Sequence, residues 1–275
     1  MIPVAFGYHR PQSVKEAAEM LTELGDEAKV LAGGHSLLPL MKLRFASPIA
    51  LVDIGDVTGL RFVERDGGQV RVGALTRHRD LAEDPVIREF VPLLAATAAQ
   101  VGDAQIRNRG TIGGSVAHAD PAGEYGTVCL MLDAQIVTTR RRIPAAGFFL
   151  GRFTTLLEHD ELITELAFPA DPGPGAYLKF CHRLFDWALV GAAAQHTSQG
   201  WRVGLVNVAE APVRAAAAER ALNAGASHTE AAMLASDGLH PAPSHRAPAE
   251  YKLHLARVLT RRALEQAAAS PGMPS

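Results

Sequence analysis

Ala32-Gly33-Gly34-His35-Ser36 and Thr111-Ile112-Gly113-Gly114-Ser115 are two short paired-glycine turns that look like the halves of one phosphate cradle. An apolar run precedes each, Val30-Leu31 for the first and Gln105-Ile106, a few residues upstream, for the second. Paired glycines let the backbone take positive φ and bring its N–H groups close to an anion with no Cβ in the way. Neither turn contains a lysine or arginine. That pattern favours a diphosphate held by main-chain donors over one held by ion pairs, and a diphosphate in an otherwise apolar protein suggests a dinucleotide.

Outward from the first turn, the opening of the chain predicts a small α/β module. Ser13-Val14-Lys15-Glu16 is a capping box, and Val14, Ala17, Ala18, Leu21 and Leu24 follow at helical spacing until Gly25 supplies a stop. Val30-Leu31 and Leu51-Val52-Asp53-Ile54 are compact strands, with a helical turn or two between Leu37 and Arg44. Around the second turn the pattern predicts a strand at Val70, Val72 and Ala74, and Thr76 as a helix cap. A helical run follows from Val91 to Val101, with a buried helix at Val128 to Leu132 and strands at 136–138 and 162–166. Pro169, Pro172, Gly173, Pro174 and Gly175 read as a linker. Beyond it come three strands (177–180, 189–195, 201–208) and three alanine-rich helices, a smaller α+β domain with an unstructured tail, Ser270 to Ser275.

Composition narrows the function. A chain of 275 residues, 48% hydrophobic and 20% charged, can bury a sizeable core. With 27 basic and 29 acidic residues the net charge is −2, which leaves no footprint for nucleic acid or a membrane surface. No basic leader followed by an apolar stretch opens the sequence and no run reaches spanning length, so a cytoplasmic protein is expected. Cys129 and Cys181 are the only cysteines, too few for an iron–sulfur or zinc ligand set. The 11 histidines show no metal-ligand spacing, and His78, His118 and His228 are read as surface or hydrogen-bonded residues. The acidic pairs Glu64/Asp66 and Asp160/Glu161 are read as solvated turns, and neither serine of the turns has an adjacent base, so no nucleophile is predicted.

The turns do not match Gly-x-Gly-x-x-Gly with a later acidic residue, and Gly-Lys-Ser/Thr is absent, which removes the Rossmann and P-loop readings. The wider strings resemble the FAD-binding medium subunits of the molybdenum hydroxylases, the group of xanthine dehydrogenase and bacterial carbon monoxide dehydrogenase. Ala32 to Lys42 resembles the first FAD segment of that family, and Gly102 to Ser115 the second. The likeness also takes in Phe6-Gly7-Tyr8-His9-Arg10-Pro11, Leu51 to Ile54 and Pro248-Ala249-Glu250-Tyr251-Lys252. In the His35 form of its first turn the chain most resembles the carbon monoxide dehydrogenase branch.

The resemblance implies an α+β protein: a two-part FAD-binding region of the PCMH/VAO-like type, 1–55 and 56–172, followed by a smaller C-terminal domain, 176–275. It implies that Ala32, Gly33, Gly34, His35, Ser36 and Leu37, with Thr111, Gly113, Gly114 and Ser115, hold the FAD diphosphate and ribityl chain through main-chain donors. Ser36 and Ser115 would add hydroxyl contacts, Ser115 standing where the family usually has asparagine. Val101 and Gly102, at the approach to the second turn, and Leu162 and Ile163, on a strand along the flavin ring, join the cofactor-binding set. Asp120 falls near the ribityl or ring region. Lys179, Asp186 and Trp187 match a C-terminal signature in which an aromatic covers one face of the ring. The implied activity is that of an oxidoreductase subunit, and its implied partners are a small subunit with two [2Fe–2S] clusters and a large one with a molybdenum–pterin cofactor. The implied assembly is a dimer of heterotrimers, with no nucleic acid and no spanning segment. Two alternatives stay open: a freestanding FAD-dependent oxidoreductase of the same fold, and an assembly subunit without FAD.

Overall fold

A computed structural model describes residues 2–270; most of the expected tail, 271–275, lies outside the described residues. The first part runs β1 (Gly7–His9), α1 (Val14–Leu24), β2 (Ala28–Leu31), α2 (Leu37–Leu43) and β3 (Ala50–Asp53). Its sheet is parallel, in the order β1-β3-β2. The α1 periodicity buries Ala17 and Leu21 against this sheet, and Gly25 ends the helix at φ 71°. Ser13 Oγ accepts from Glu16 N at 3.1 Å, but the Glu16 carboxylate reaches Gln12 N rather than the cap itself, so half of the expected box forms.

The middle part holds β4 (Val63–Asp66), β5 (Gln69–Gly73), α3 (His78–Glu83), α4 (Pro85–Phe90), α5 (Pro92–Ala98), α6 (Ala104–Arg107), α7 (Ile112–His118) and α8 (Glu124–Met131). It continues through β6 (Gln135–Thr138), β7 (Arg142–Pro144), α9 (Ala145–Phe148), β8 (Phe149–Gly151), β9 (Thr154–Thr155) and β10 (Ile163–Pro169). An antiparallel sheet in the order β4-β5-β10-β6-β7 packs on the helices over a core that includes Tyr125, Phe148 and Phe168. Thr76 does not cap α3: its hydroxyl goes to the Phe62 carbonyl, and Arg77 occupies the cap position with no side-chain bond.

The last part is an antiparallel sheet, β11 (Gly175–Phe180), β12 (Val190–Thr197), β13 (Gly200–Val206) and β14 (Val213–Arg214), followed by α10 (Ala216–Asn223), α11 (His228–Met233) and α12 (Ala249–Ala268). Alanine runs through β12 because both its faces are covered. Ala193 enters the middle core, while Ala192 and Ala194 face the cluster built on α12. Small side chains let both layers approach one strand closely. The Pro/Gly segment before β11 is not a loose linker. Gln195 Nε2 donates to the carbonyls of Asp171 and Gly173, at 3.2 and 3.1 Å, and binds that segment to β12.

Candidate functional site

The two glycine turns meet. A Cβ built on Gly33 would stand 2.5 Å from the Arg109 carbonyl oxygen and 2.8 Å from Gly110 Cα, so the first turn lies directly on the residues leading into the second. Gly34 takes φ 74°, which re-aims the chain as it leaves β2. Among the described residues no acceptor takes the backbone N–H groups of Gly33, Gly34, His35, Ser36 or Leu37, and the Ser36 side chain makes no cap bond. Successive unpaired amides of this kind form a concavity suited to an anion.

The second turn departs from the expected symmetry. Ile112 N donates to Thr76 O, Gly113 N to Ala74 O, Gly114 N to Thr111 Oγ1 and Ser115 N to Thr111 O. Two of these amides fix α7 to the segment that follows β5 and two close its first turn onto Thr111, so this turn contributes shape and its Ser115 hydroxyl, and the first turn supplies the free main-chain donors.

Between the turns lies a cavity of about 420 Å³, within the ~300–1,000 Å³ of small-molecule sites. Its wall includes every residue from Ala32 to Leu37, then Val101, Thr111, Gly113, Gly114, Ser115, Asp120, Leu162, Ile163 and Trp187. Gly102, Lys179 and Asp186 stand outside that wall. Lys179 works from behind it: its Nζ donates to Glu124 Oε1 at 3.1 Å and to the Asp186 carbonyl at 3.3 Å. The Asp186 carboxylate pairs with Arg246 at 3.0 Å. Asn207 Nδ2 holds the Ala188 carbonyl at 2.8 Å, so the segment carrying Trp187 is pinned on both sides of an indole that remains 49% exposed.

Sequence reasoning missed several wall residues. Glu124 lines the cavity at the start of α8, and burial pushes its carboxyl up against the opposing pull of Lys179. Lys29, Glu158, His159 and Glu161 line the cavity as well. Asp160 and Glu161 are not solvated, contrary to the turn expected there. Asp160 pairs with Arg140 at 2.5 Å and Glu161 with Arg141 at 2.8 Å, and the Arg141 hydrogen bond lowers the Glu161 carboxyl to about 2. Glu64 and Asp66 sit on β4 and are exposed. Their spacing gave no sign of the difference, because what buries Glu161 is an arginine 20 residues earlier in sequence.

His78 is the other wall residue that spacing could not find. It is 5% exposed, and its Nδ1 lies 3.1 Å from the Tyr125 hydroxyl. Burial, then His35 and Arg107, lower its pKa from 6.5 to about 3. Below pH 6.5 the unfolded chain therefore takes up a proton that the folded chain refuses. This contribution is fully present above pH 6.5 and is lost as pH falls toward 3, at about 1.4 kcal/mol per unit at most. Melting temperatures measured from pH 7 to 4 should fall more steeply for the native chain than for His78→Gln, and equal slopes would show that His78 does not carry the effect.

Among the described residues no group of three or more His, Cys, Asp or Glu could hold a metal ion, and no helix is long and apolar enough to cross a membrane.

Residues 4–171 match the family described as "FAD binding domain in molybdopterin dehydrogenase", and residues 176–267 the "CO dehydrogenase flavoprotein C-terminal domain". The chain is 41% identical over 282 residues to the carbon monoxide dehydrogenase medium chain of Hydrogenophaga pseudoflava, covering 97% of this chain and 98% of that one. It is 34% identical to the nicotine 6-hydroxylase medium subunit of Paenarthrobacter nicotinovorans, covering 96% and 98% of the two. Among solved structures, that of Hydrogenophaga pseudoflava carbon monoxide dehydrogenase lacking the Mo-pyranopterin moiety superposes with a TM-score of 0.93 at 43% identity, covering 98% and 99% of the two chains.

Proposed function

Because the chain belongs to the family of FAD-binding medium subunits of the molybdenum hydroxylases, we propose that it is the electron-transfer flavoprotein of such an assembly. In this reading it takes electrons from the [2Fe–2S] clusters of a small partner subunit and passes them to an external acceptor. A large partner subunit carries the molybdenum–pterin cofactor, and the whole is a cytoplasmic dimer of heterotrimers. The observation that carries the reading is the run of five unpaired amides, Gly33 to Leu37, facing the wall built by the second turn.

These residues fit a dinucleotide. The amides of the first turn bind the diphosphate, and the Ser36 and Ser115 hydroxyls add donors on either side. FAD bound there would supply a redox group able to take up electrons singly and release them in pairs, chemistry that the side chains lack. Leu162 and Ile163, both buried, exclude water along one wall of the cavity that Asp120, Glu124 and Trp187 also line. Three units follow from this, 1–55 and 56–172 around the cofactor and 176–275 bearing Trp187 over it. Relatives named for carbon monoxide and for nicotine align over nearly their whole length, which supports a substrate chosen in another polypeptide.

The test is to purify the chain with its partners and measure flavin absorbance, FAD released on denaturation, iron and molybdenum. Co-purifying cluster and molybdenum subunits with bound FAD is the expected result. A colourless assembly, or a lone chain that turns over a small substrate, would overturn it. Trp187→Leu is expected to keep FAD but bind it about 2–10-fold more weakly, matching a ring contact of ~0.5–1.5 kcal/mol, with brighter flavin fluorescence. Unchanged fluorescence would mean that the indole does not cover the ring.

A further inference from the structure

Thr76, Arg77 and His78 run beside the approach to the second turn. His78 N donates to the Gly110 carbonyl at 3.1 Å, Ile112 N donates to the Thr76 carbonyl, and Arg77 and Thr111 form an isolated antiparallel bridge. This pairing brings the His78 ring against Gly110, where an added Cβ would stand 2.5 Å from Nε2. Gly110 Cα is also the atom that a Cβ on Gly33 would meet at 2.8 Å. One glycine therefore touches both the imidazole and the first turn.

The two ring nitrogens have different surroundings. Nδ1 lies 3.1 Å from the Tyr125 hydroxyl, which is fully buried and has no other partner among the described residues. A proton on Nδ1 would leave the Tyr125 O–H in an apolar core with nothing to accept it, a costly arrangement. The hydroxyl therefore donates to Nδ1, and the ring proton sits on Nε2. Among the described residues Nε2 has no partner, yet it is not sealed in as the Tyr177 hydroxyl, Gln195 Oε1 and Thr260 Oγ1 are. It keeps accessible surface, and the space it opens onto is the cavity that His78 and His35 both line. Burial beside His35 and Arg107 keeps the ring neutral.

We propose that His78 is a further binding residue for the diphosphate of FAD, donating from Nε2–H on the side of the cradle where the main chain has no free amides. The proposal rests on the cofactor reading above. The amides of Ile112 to Ser115 are engaged within the fold, so side-chain donors must complete that side. A neutral N–H whose tautomer is locked by Tyr125 does so without burying a charge in the wall.

The test compares FAD with riboflavin, which has the ring and ribityl chain but no phosphate, on the full chain freed of flavin. His78→Phe keeps a ring and loses the donor, and is expected to weaken FAD binding about tenfold or more with riboflavin affinity unchanged. His78→Gln, whose amide can still donate, should restore most of the FAD affinity. In the native chain, nitrogen NMR of the imidazole should show the proton on Nε2, with that signal moving when FAD is added, and this measurement decides the matter if His78→Phe fails to fold. Equal loss of FAD and riboflavin in His78→Phe would make His78 only a prop for Gly110 and overturn the assignment. So would undiminished FAD affinity in that variant, a proton found on Nδ1, or an Nε2 signal indifferent to FAD. A native chain that binds neither flavin would instead defeat the cofactor reading, and the assignment with it.

Discussion

Gly33→Ala is expected to strip FAD from the protein while leaving it folded. The added Cβ would meet the Arg109 carbonyl oxygen at 2.5 Å and Gly110 Cα at 2.8 Å, both backbone atoms that cannot swing aside. Relief comes only by parting the two turns, which moves the five free amides away from the wall they face. Overpacking of this kind costs ~1–3 kcal/mol, so flavin affinity should drop about 5- to 150-fold. Gly114→Ala is the control. Its Cβ would meet the Thr111 hydroxyl at 2.8 Å and Ala32 Cβ at 3.7 Å, and a hydroxyl can turn away. Flavin-to-protein ratios after gel filtration, with FAD titrations of the apoprotein, distinguish the two. Equal retention by Gly33→Ala and the native chain would remove the first turn from the cofactor site.

Much of this was legible in the sequence because it is local. The α1 helix, the β2 strand running into Gly33-Gly34 and the alternating Val70 and Val72 follow from spacing and from the few residues that tolerate positive φ. What was not legible depends on partners distant in sequence. The second turn looks like a set of anion donors until Ala74 and Thr76 are seen to take its amides. Asp160-Glu161 has the composition of a solvated turn and becomes a pair of buried carboxylates with half-exposed arginine partners because Arg140 and Arg141 lie beside it. His78 and Glu124 carry no motif at all, and what places them on the cavity wall is the docking of α3 against α5 and of α8 against β13 and α5. Of the C-terminal signature, only Trp187 lies on the wall; Lys179 and Asp186 act at one remove.

Lys179→Met is expected to destabilise the protein by about 3–5 kcal/mol, the cost of leaving a buried partner's charge uncompensated. The Lys179 and Glu124 side chains are 8% and 4% exposed, and the ammonium also donates to the Asp186 carbonyl, so one substitution orphans two acceptors. Glu124→Gln should cost less, since an amide oxygen still accepts from Nζ. The double variant Lys179→Met/Glu124→Leu removes both charges and should recover much of the loss, because replacing a whole buried pair by apolar groups is often neutral. The cycle, read from urea midpoints at constant slope, isolates the coupling between β11 and α8. Recovery of stability should not restore the site fully. The Asp186 carbonyl would still lack its donor, so the segment bearing Trp187 should remain loose and flavin fluorescence should stay closer to that of Trp187→Leu than to the native value. If the double variant regains native flavin fluorescence along with stability, Lys179 serves only to balance Glu124 and has no part in holding the indole at the cavity.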